Sequence, residues 1–151
     1  MKRKFLAWAP CPIARSLDQV GDSWSLLIVR DICVGKRRFG ELVESLGVAR
    51  NILSARLKKL VHDGILELEP ARDGSAHKEY VLTEKGRGLI VALIALKQWG
   101  DRWAIPDDYS ALKLVERATG EEIATVEIRS ADGRQLTPQD IALAWTPRSD
   151  A

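Results

Sequence analysis

The residues best suited to specific chemistry lie in one stretch, Val48 to Gly64, which has the periodicity of an amphipathic helix. Its polar side carries small, amide, hydroxyl and cationic side chains, namely Asn51, Ser54, Ala55, Lys58 and Lys59. Asparagine can hydrogen-bond adenine, and lysine or arginine can bond guanine or phosphate, so this side could read a DNA major groove. The alternative is an ordinary surface helix whose charged face is solvated.

The rest of this stretch and the segment after it favour the first interpretation. The apolar side of the helix is predicted to face a core and consists of Leu53, Leu57, Leu60 and Val61. Ile65 to Glu69 then alternates apolar and polar residues as a strand does, Asp73-Gly74 predicts a hairpin turn, and Glu79 to Leu82 predicts the returning strand. A helix that leads directly into a hairpin with a charged tip predicts a winged helix.

Three shorter helices are predicted before this unit, over residues 11–21, 24–34 and 39–46. Asp22 or Ser23 is suited to cap the second of them. A basic loop joins the second helix to the third and contains Lys36, Arg37 and Arg38. The order is therefore helix, helix, helix–turn–helix and wing.

A long helix is predicted to begin at Thr83, which is a suitable N-cap. Large apolar residues and a glycine recur on one of its sides: Leu89, Leu93, Leu96, Trp99, Gly100 and Trp103. Ile90, Val91 and Ile94 make the helix apolar almost all round, so it must be buried on more than one side. Either a second subunit covers it through an isologous contact, or it folds back deeply onto its own domain.

From Ile105 onward the pattern changes to short alternating segments. Strands are predicted over residues 111–116, 122–128 and 141–145, with turns at residues 118–121 and 132–133. We therefore expect an α+β protein with two parts. Residues 1–104 form a winged helix–turn–helix domain with a long C-terminal dimerisation helix, and residues 109–147 form a small C-terminal β appendage.

Charge is distributed unevenly along the 151 residues, of which 46% are apolar. Residues 1–99 carry a net charge of +6 and residues 100–151 a net charge of −4, so the first part suits a polyanion and the second does not. Pro10 ends the N-terminal apolar run too early for a signal peptide, and Leu89 to Leu96 is too short to span a bilayer. These patterns predict a cytoplasmic protein without a membrane partner, in which both cysteines are reduced.

Residues 11–103 resemble one family, the HxlR-type bacterial transcriptional regulators, which are winged helix–turn–helix proteins related to MarR. The matching pieces are Cys11-Pro12, Leu17 with Val20-Gly21, Trp24 to Asp31, Gly35 to Phe39, Glu41-Leu42, Asn51 with Leu53-Ser54, Arg56 to Leu60, Asp63 to Ile65, Tyr80 with Leu82-Thr83, Lys85-Gly86 and Trp99-Gly100. The order and spacing of these pieces carry the resemblance, which does not extend to the appendage.

The resemblance implies a homodimer that binds inverted-repeat operators in double-stranded DNA. The dimer would be built largely from the first and last helices, with Ile13, Leu17, Leu89, Leu93, Leu96, Trp99 and Trp103 at its interface. DNA contacts are predicted from three places. The helix within Val48 to Gly64, called the reading helix below, carries Arg50, Asn51, Ser54, Arg56, Lys58 and Lys59. The basic loop carries Lys36, Arg37 and Arg38, and the wing carries Arg72, His77 and Lys78. Arg56 lies near the edge of the core face, so a structural ion pair is its alternative role.

Cys11 aligns with a cysteine that senses oxidants or electrophiles in several regulators of this family. It lies at a helix start with Arg15 one turn on, and both features favour the thiolate. The alternative is a small buried cysteine at the dimer seam. Cys33 falls in a helix that is mostly core and is predicted to be inert.

Other classes of function have less support. The only histidines are His62 and His77, and no pair or triad has metal-ligand spacing, so neither an enzyme nor a metal or other cofactor is expected. A winged helix used for protein contacts would more often show aromatic anchors than basic clusters. A small-molecule effector held near the β appendage remains an alternative, as do an appendage that extends the dimer and one that only covers apolar surface.

Overall fold

The computed structural model describes residues 6–7, 9–106 and 112–144. The chain divides into two compact units, residues 1–93 and residues 94–151. The elements, in chain order, are α1 Pro12–Val20, α2 Ser25–Cys33, α3 Phe39–Leu46, α4 Arg50–His62, β1 Leu66–Pro70, β2 Lys78–Leu82, α5 Glu84–Arg87, α6 Leu89–Trp103, β3 Ile128–Arg129, β4 Gln135–Leu136 and a 3₁₀ turn at Pro138–Asp140. This is the predicted α+β winged helix–turn–helix fold.

The helix ends follow from local chemistry. The Asp22 carboxylate accepts hydrogen bonds from the backbone N–H groups of Trp24 and Ser25, at 2.9 and 3.0 Å, where α2 begins. Asp22 is therefore the cap expected from the sequence. Gly47 follows α3 with a φ of +60°, a left-handed conformation that ends a helix and that glycine adopts at little cost.

The core of the first unit is formed by the end of α1, by α2, α3 and α4, and by the base of the wing. Its buried apolar side chains are Val20, Ile28, Val29, Ile32, Leu42, Val48, Leu53, Leu57, Leu60, Ile65 and Leu66. Three of the four residues predicted for the inner side of α4 are fully buried, and Val61 packs partly buried against them. Each such leucine stabilises the fold by about 1.5–3 kcal/mol, so the orientation of α4 is fixed by its inner side.

The wing is an antiparallel pair in which Leu66 of β1 faces Leu82 of β2 and Pro70 faces Lys78. Beyond the Pro70–Lys78 pair, the Ala71 N–H donates to the His77 carbonyl, at 3.0 Å, and this hydrogen bond extends the antiparallel pairing towards the tip. The hairpin predicted at Asp73-Gly74 is confirmed.

A junction formed by Thr83 and Gly86 closes the base of the wing. The Thr83 hydroxyl donates to the Gly64 carbonyl, at 2.6 Å, and accepts from the Gly86 N–H, at 3.1 Å. Thr83 is thus the predicted helix cap. A Cβ on Gly86 would lie 2.2 Å from the Ile65 carbonyl oxygen, so only glycine fits this approach.

The single long helix predicted from Thr83 is in fact two helices, α5 and α6, separated at Gly88. Two observations account for the break. Gly86 seats α5 against the carbonyl of Ile65, and the Arg87 guanidinium donates to the Leu82 carbonyl, at 2.7 Å. Gly88 favours helix less than other residues do, and the regular helix is interrupted there.

No described residue of α6 is fully buried. Leu89 and Leu93 pack partly buried against the core of the first unit. Trp99 and Trp103 are 58% and 65% exposed. None of the helices in the described part of the chain is long and apolar enough to cross a membrane.

The second unit contains the end of α6 and the described part of the appendage, residues 112–144. The amide of Gln98 links the two: its nitrogen donates to the Ala124 carbonyl, at 3.2 Å, and its oxygen accepts from the Val126 N–H, at 2.8 Å. Gln98 therefore satisfies backbone groups that a neighbouring strand would otherwise pair.

The strands predicted for the appendage are mostly wrong. Val115 and Glu122 form one isolated antiparallel bridge, and the hairpin β3–β4 is only two residues long on each side. Residues 141–144 are not a strand, and residues 111 and 145 lie outside the described residues. None of residues 112–144 is fully buried, so there is little core to hold longer strands in register. The turns predicted at residues 118–121 and 132–133 are present.

Candidate nucleic-acid interface

The outer side of α4 is a continuous exposed surface of polar and cationic residues. Arg50, Asn51, Ala55 and Lys58 are exposed on it, and Ser54 is half-buried between them. Because the inner leucines hold the helix in the core, these side chains have a fixed direction. Asn51 and Lys58 can offer hydrogen bonds to base edges or phosphates without breaking any ion pair among the described residues.

Arg50, at the first residue of α4, lies over the ring of Phe39, with its guanidinium carbon 5.3 Å from the ring centroid. Phe39 begins α3 and itself packs partly buried against the core. A cation held over an aromatic face is stabilised and restricted in orientation. Phe39 therefore positions the first cation of the reading helix, a role that the sequence interpretation missed.

Arg56, predicted either as a DNA contact or as a structural ion-pair residue, has an acidic neighbour within the fold. Its Nε lies 3.4 Å from Oδ1 of Asp22, whose side chain is only 10% exposed. Burial alone would raise the pKa of Asp22, but hydrogen bonds from the Ser25 hydroxyl and from the backbone of Trp24 and Ser25, together with the Arg56 charge, lower that pKa below 3.8. The geometry favours the structural ion pair, because Arg56 is turned to the edge of the core.

Lys59 also has a local partner, since its ammonium forms an ion pair with Asp63 one turn further along. Lys59 lies at the C-terminal end of α4, where a positive charge also complements the helix dipole. Its charge is therefore less available to DNA than that of Lys58.

The basic loop brings its three cations to different places. The Lys36 ammonium donates to the Ser45 hydroxyl at the end of α3. Arg37 is half-buried, and its Nη1 has no hydrogen-bond partner within the described residues. Arg38 reaches the wing, where its Nη2 lies 2.5 Å from Oδ2 of Asp73 and 3.5 Å from Oε1 of Glu79.

The wing tip exposes all three of its predicted contact residues, Arg72, His77 and Lys78. Asp73 lies among them, and the Arg38 guanidinium balances its negative charge. Hydrogen bonds from Arg38 and from Ser75 hold the pKa of Asp73 far below its ordinary value of 3.8, so the carboxylate stays ionised. The sequence interpretation used Asp73 only as a turn signal, and no local pattern pairs it with a residue so far away in the chain.

The predicted dimer residues fall into two groups. Ile13 and Leu17 are exposed on α1, and Leu96, Trp99 and Trp103 are exposed on α6. Leu89 and Leu93 instead pack partly against the core of their own unit. Both leucines remain half-exposed, so an added contact with a second copy is still open to them.

Cys11 is the N-cap residue of α1, is half-buried, and makes no side-chain capping hydrogen bond. The Arg15 guanidinium is turned back towards the same segment and donates to the Ala9 carbonyl, at 2.7 Å. Cys33 is exposed at the C-terminal end of α2. Partial burial of its sulfur nevertheless raises the pKa of the Cys33 thiol, which disfavours the reactive thiolate.

Two expectations about small ligands concern other parts of the chain. The described residues contain no group of three or more histidine, cysteine or acidic side chains that could hold a metal ion. Within the second unit, an open groove of about 390 Å³ lies along the end of α6. Its lining mixes both charges with two aliphatic residues: Lys97, Gln98, Asp101, Arg102, Leu114, Glu122, Ile123 and Thr125.

Comparison with known proteins identifies the family. A family model described as HxlR-like helix-turn-helix matches residues 19–108, which is more than half of the chain. The chain belongs to the HxlR-like helix–turn–helix family. This confirms the resemblance that the sequence motifs carried.

Relatives of this HxlR-like protein extend the comparison. A Mycobacterium tuberculosis protein, named an uncharacterised HTH-type transcriptional regulator, is 36% identical over 129 residues, which is 85% of this chain and 82% of that protein. The crystal structure of PA1607, a transcription-factor candidate, is 46% identical with a TM-score of 0.85 and covers 91% of this chain and 96% of its own. The redox regulator HypR, in its oxidised form, is 30% identical with a TM-score of 0.57 and covers 64% of this chain and 100% of its own.

These similarities establish a helix–turn–helix transcriptional regulator and confirm that the HxlR-like chain is not an enzyme. They also bear on the appendage. The match to the mycobacterial regulator is 129 residues long, which is longer than the 108 residues that come before the appendage. The match therefore continues into the appendage. The appendage is thus shared by at least some relatives, whereas HypR matches less of the chain.

Proposed function

We propose that this HxlR-like regulator binds an inverted-repeat operator as a homodimer, with α4 in the major groove. The observation that carries the proposal is the outer side of α4. It exposes Arg50, Asn51 and Lys58, while the leucines on the other side are buried. Such a helix can lie in the groove with its polar side chains towards the base edges. The asparagine and the two cations supply the hydrogen-bond donors and acceptors that base edges require.

The homodimer is supported by large apolar side chains that remain in contact with solvent. Ile13 on α1 is 62% exposed, and Trp99 and Trp103 on α6 are also mostly exposed. Trp99 and Trp103 lie one helical turn apart on α6, and exposed apolar side chains that form a patch usually mark an interface. A two-fold dimer would present two copies of α4 about 34 Å apart, one turn of DNA, which matches an operator with two inverted half-sites.

Within the complex we assign different roles to two cations. Lys58 faces outward from the middle of α4 and contacts base edges, so it discriminates between sequences. Arg37 contacts phosphate, because it is partly exposed and the loop that carries it precedes the first helix of the helix–turn–helix. Lys36 stays on the same loop as a weaker phosphate contact.

The proposal is tested by capturing genomic fragments on purified, reduced protein and sequencing those retained. Recovery of one inverted repeat supports it, and recovery of DNA without a shared motif would contradict sequence-specific binding. On the recovered site, Lys58→Ala should weaken specific binding more than binding to random DNA, whereas Arg37→Ala should weaken both equally. Lys113→Ala, an exposed cation of the appendage, is the matched control and should leave both affinities unchanged.

The homodimer is tested by sedimentation. The double variant Trp99→Ser and Trp103→Ser should shift the protein from dimer to monomer and weaken operator binding. Val34→Ser removes a comparably exposed apolar side chain outside the predicted interface and should remain dimeric. A wild-type protein that is monomeric at the concentrations used for DNA binding would contradict the dimer.

We further propose that oxidation or alkylation of Cys11 controls DNA binding. Cys11 lies at the start of α1, one of the two helices assigned to the dimer, and its side chain makes no capping hydrogen bond. One relative, HypR, is named a redox regulator. A modified Cys11 would displace α1 and change the spacing of the two reading helices.

A further inference from the structure

Arg38 joins the helix–turn–helix to the wing through two carboxylates. It is the residue immediately before α3, and its Nη2 lies 2.5 Å from Oδ2 of Asp73 at the wing tip. The same nitrogen lies 3.5 Å from Oε1 of Glu79 in β2, and the Glu79 side chain is only 10% exposed. One guanidinium therefore faces two carboxylates that are distant from it in the chain.

The backbone around Arg38 is held from both sides. Oε2 of Glu41, one turn into α3, accepts the backbone N–H groups of Arg37 and Arg38, at 2.8 and 2.9 Å. From the wing, the Tyr80 N–H donates to the Arg37 carbonyl, at 2.9 Å. The Arg38 side chain thus starts from a backbone that cannot easily move away from β2.

We propose that Arg38 is a positioning residue that holds the wing tip in place, and that it is not a phosphate contact. This inference rests on the DNA-binding function proposed above. A guanidinium paired with two carboxylates has no net positive charge to offer, and a phosphate beside it would also lie next to Asp73 and Glu79. Phosphate contacts are then left to the exposed cations of the tip, Arg72 and Lys78.

The hairpin needs such an anchor because a two-stranded ribbon is only marginally stable on its own. The base of the wing is fixed by Leu66 and by the Thr83 junction. The tip is farther from the core, and Ala71 is its one buried apolar residue. Arginine suits the task better than lysine, because its planar, multiple donors can hold two carboxylates at once.

The first test needs no DNA. Hydrogen exchange of the amides in residues 71–80 is measured in the wild type, in Arg38→Ala and in Asp73→Asn. Both variants should exchange faster by about two- to fivefold, the range expected for a partly exposed ion pair. Lys113→Ala should leave exchange unchanged. Unchanged exchange in both Arg38→Ala and Asp73→Asn would overturn the proposal, whether or not the protein binds DNA.

The second test uses the recovered operator and the dependence of affinity on salt. Arg38→Ala should weaken binding while leaving the slope of log K against log salt concentration unchanged, whereas Arg72→Ala should reduce the slope by about 0.9, the value for one lost phosphate contact. In the Asp73→Asn background, Arg38→Ala should cause little further loss. A slope reduced by about 0.9 in Arg38→Ala would overturn the positioning role. Failure of the wild type to bind any DNA would contradict only the proposed function.

Discussion

Arg56 on the reading helix and Asp22 before α2 form an ion pair, with Nε and Oδ1 3.4 Å apart. The same carboxylate caps α2 through the backbone N–H groups of Trp24 and Ser25. The Asp22 side chain therefore caps α2 and also pairs with α4, the helix proposed to contact DNA. The orientation of α4 depends on this polar contact as well as on its buried leucines.

Replacing Arg56 by alanine should destabilise the protein. The Asp22 carboxylate keeps its three hydrogen bonds but loses the nearby Arg56 charge, and we expect the free energy of unfolding to fall by about 0.5–1 kcal/mol. Lys58→Ala, two positions further on the exposed side of α4, should change it by less than about 0.5 kcal/mol. Urea unfolding followed by circular dichroism measures both. Equal stability of Arg56→Ala and the wild type would show that Arg56 is free for DNA.

The lowered pKa of Asp22 predicts a dependence of stability on pH. Because the pKa in the folded protein lies below the ordinary value of 3.8, the charged carboxylate stabilises the fold above that value, and this contribution is lost as the pH falls through the folded pKa. Asp22→Asn should therefore be less stable than the wild type near neutral pH, and the difference should narrow as the pH falls below about 3.8. Glu44→Gln, an exposed carboxyl of α3, is the control. A difference that is constant with pH would contradict this origin.

The parts of the fold that were predictable are those set by short-range spacing. The positions of Leu53, Leu57 and Leu60 identify the inner side of α4, because a helix places residues three and four apart on one face. Asp73-Gly74 and Thr83 likewise identify a turn and a cap from local chemistry. Each of these signals acts within a few residues of its own element.

The parts that were not predictable depend on partners distant in the chain. Arg38 looks like a free cation in the sequence, and the ion pair considered for Arg56 had no partner assigned to it. Only the fold brings Asp73 and Asp22 to these arginines. The alternating residues 122–128 suggest a full strand, but strand length depends on a neighbour. Here the side chain of Gln98 bonds the backbone at two of these positions, and few other backbone partners are present.

Gly86→Ala should strongly destabilise the wing. The added Cβ would meet the Ile65 carbonyl oxygen at 2.2 Å, so α5 must move away and the Thr83 junction must loosen. We expect a loss of about 2–4 kcal/mol, comparable to overpacking or breaking a buried contact. Gly40→Ala is the matched control, because Gly40 also lies in a helix and nothing lies within 4 Å of its Cβ position. Thermal unfolding compares the two, and similar melting temperatures would contradict the close approach.

Phe39 and Arg50 should be coupled in DNA binding. Removing the ring in Phe39→Leu frees the guanidinium to adopt other orientations, so operator affinity should fall by about two- to fivefold, the equivalent of an exposed cation–π contact. In an Arg50→Ala background, Phe39→Leu should cause little additional loss. A double-mutant cycle measured by fluorescence anisotropy gives the coupling directly. Additive losses in the two variants would instead assign Phe39 only to the core.

The two cysteines provide a matched pair for testing the proposed thiol response. Diamide with added glutathione, which joins glutathione to Cys11 in a mixed disulfide while diamide takes up the two electrons and two protons, should weaken or abolish operator binding in the wild type and in Cys33→Ser, because a modified Cys11 disturbs the start of α1. Cys11→Ser should bind the operator and should not respond. The contrast has a physical basis: burial raises the pKa of the Cys33 thiol, so its thiolate is scarce although the residue is exposed.

Binding is measured by gel shift before and after oxidation, with reductant restoring it. A response that persists in Cys11→Ser and disappears in Cys33→Ser would transfer the role to Cys33, and no response in the wild type would leave Cys11 as a structural residue of α1.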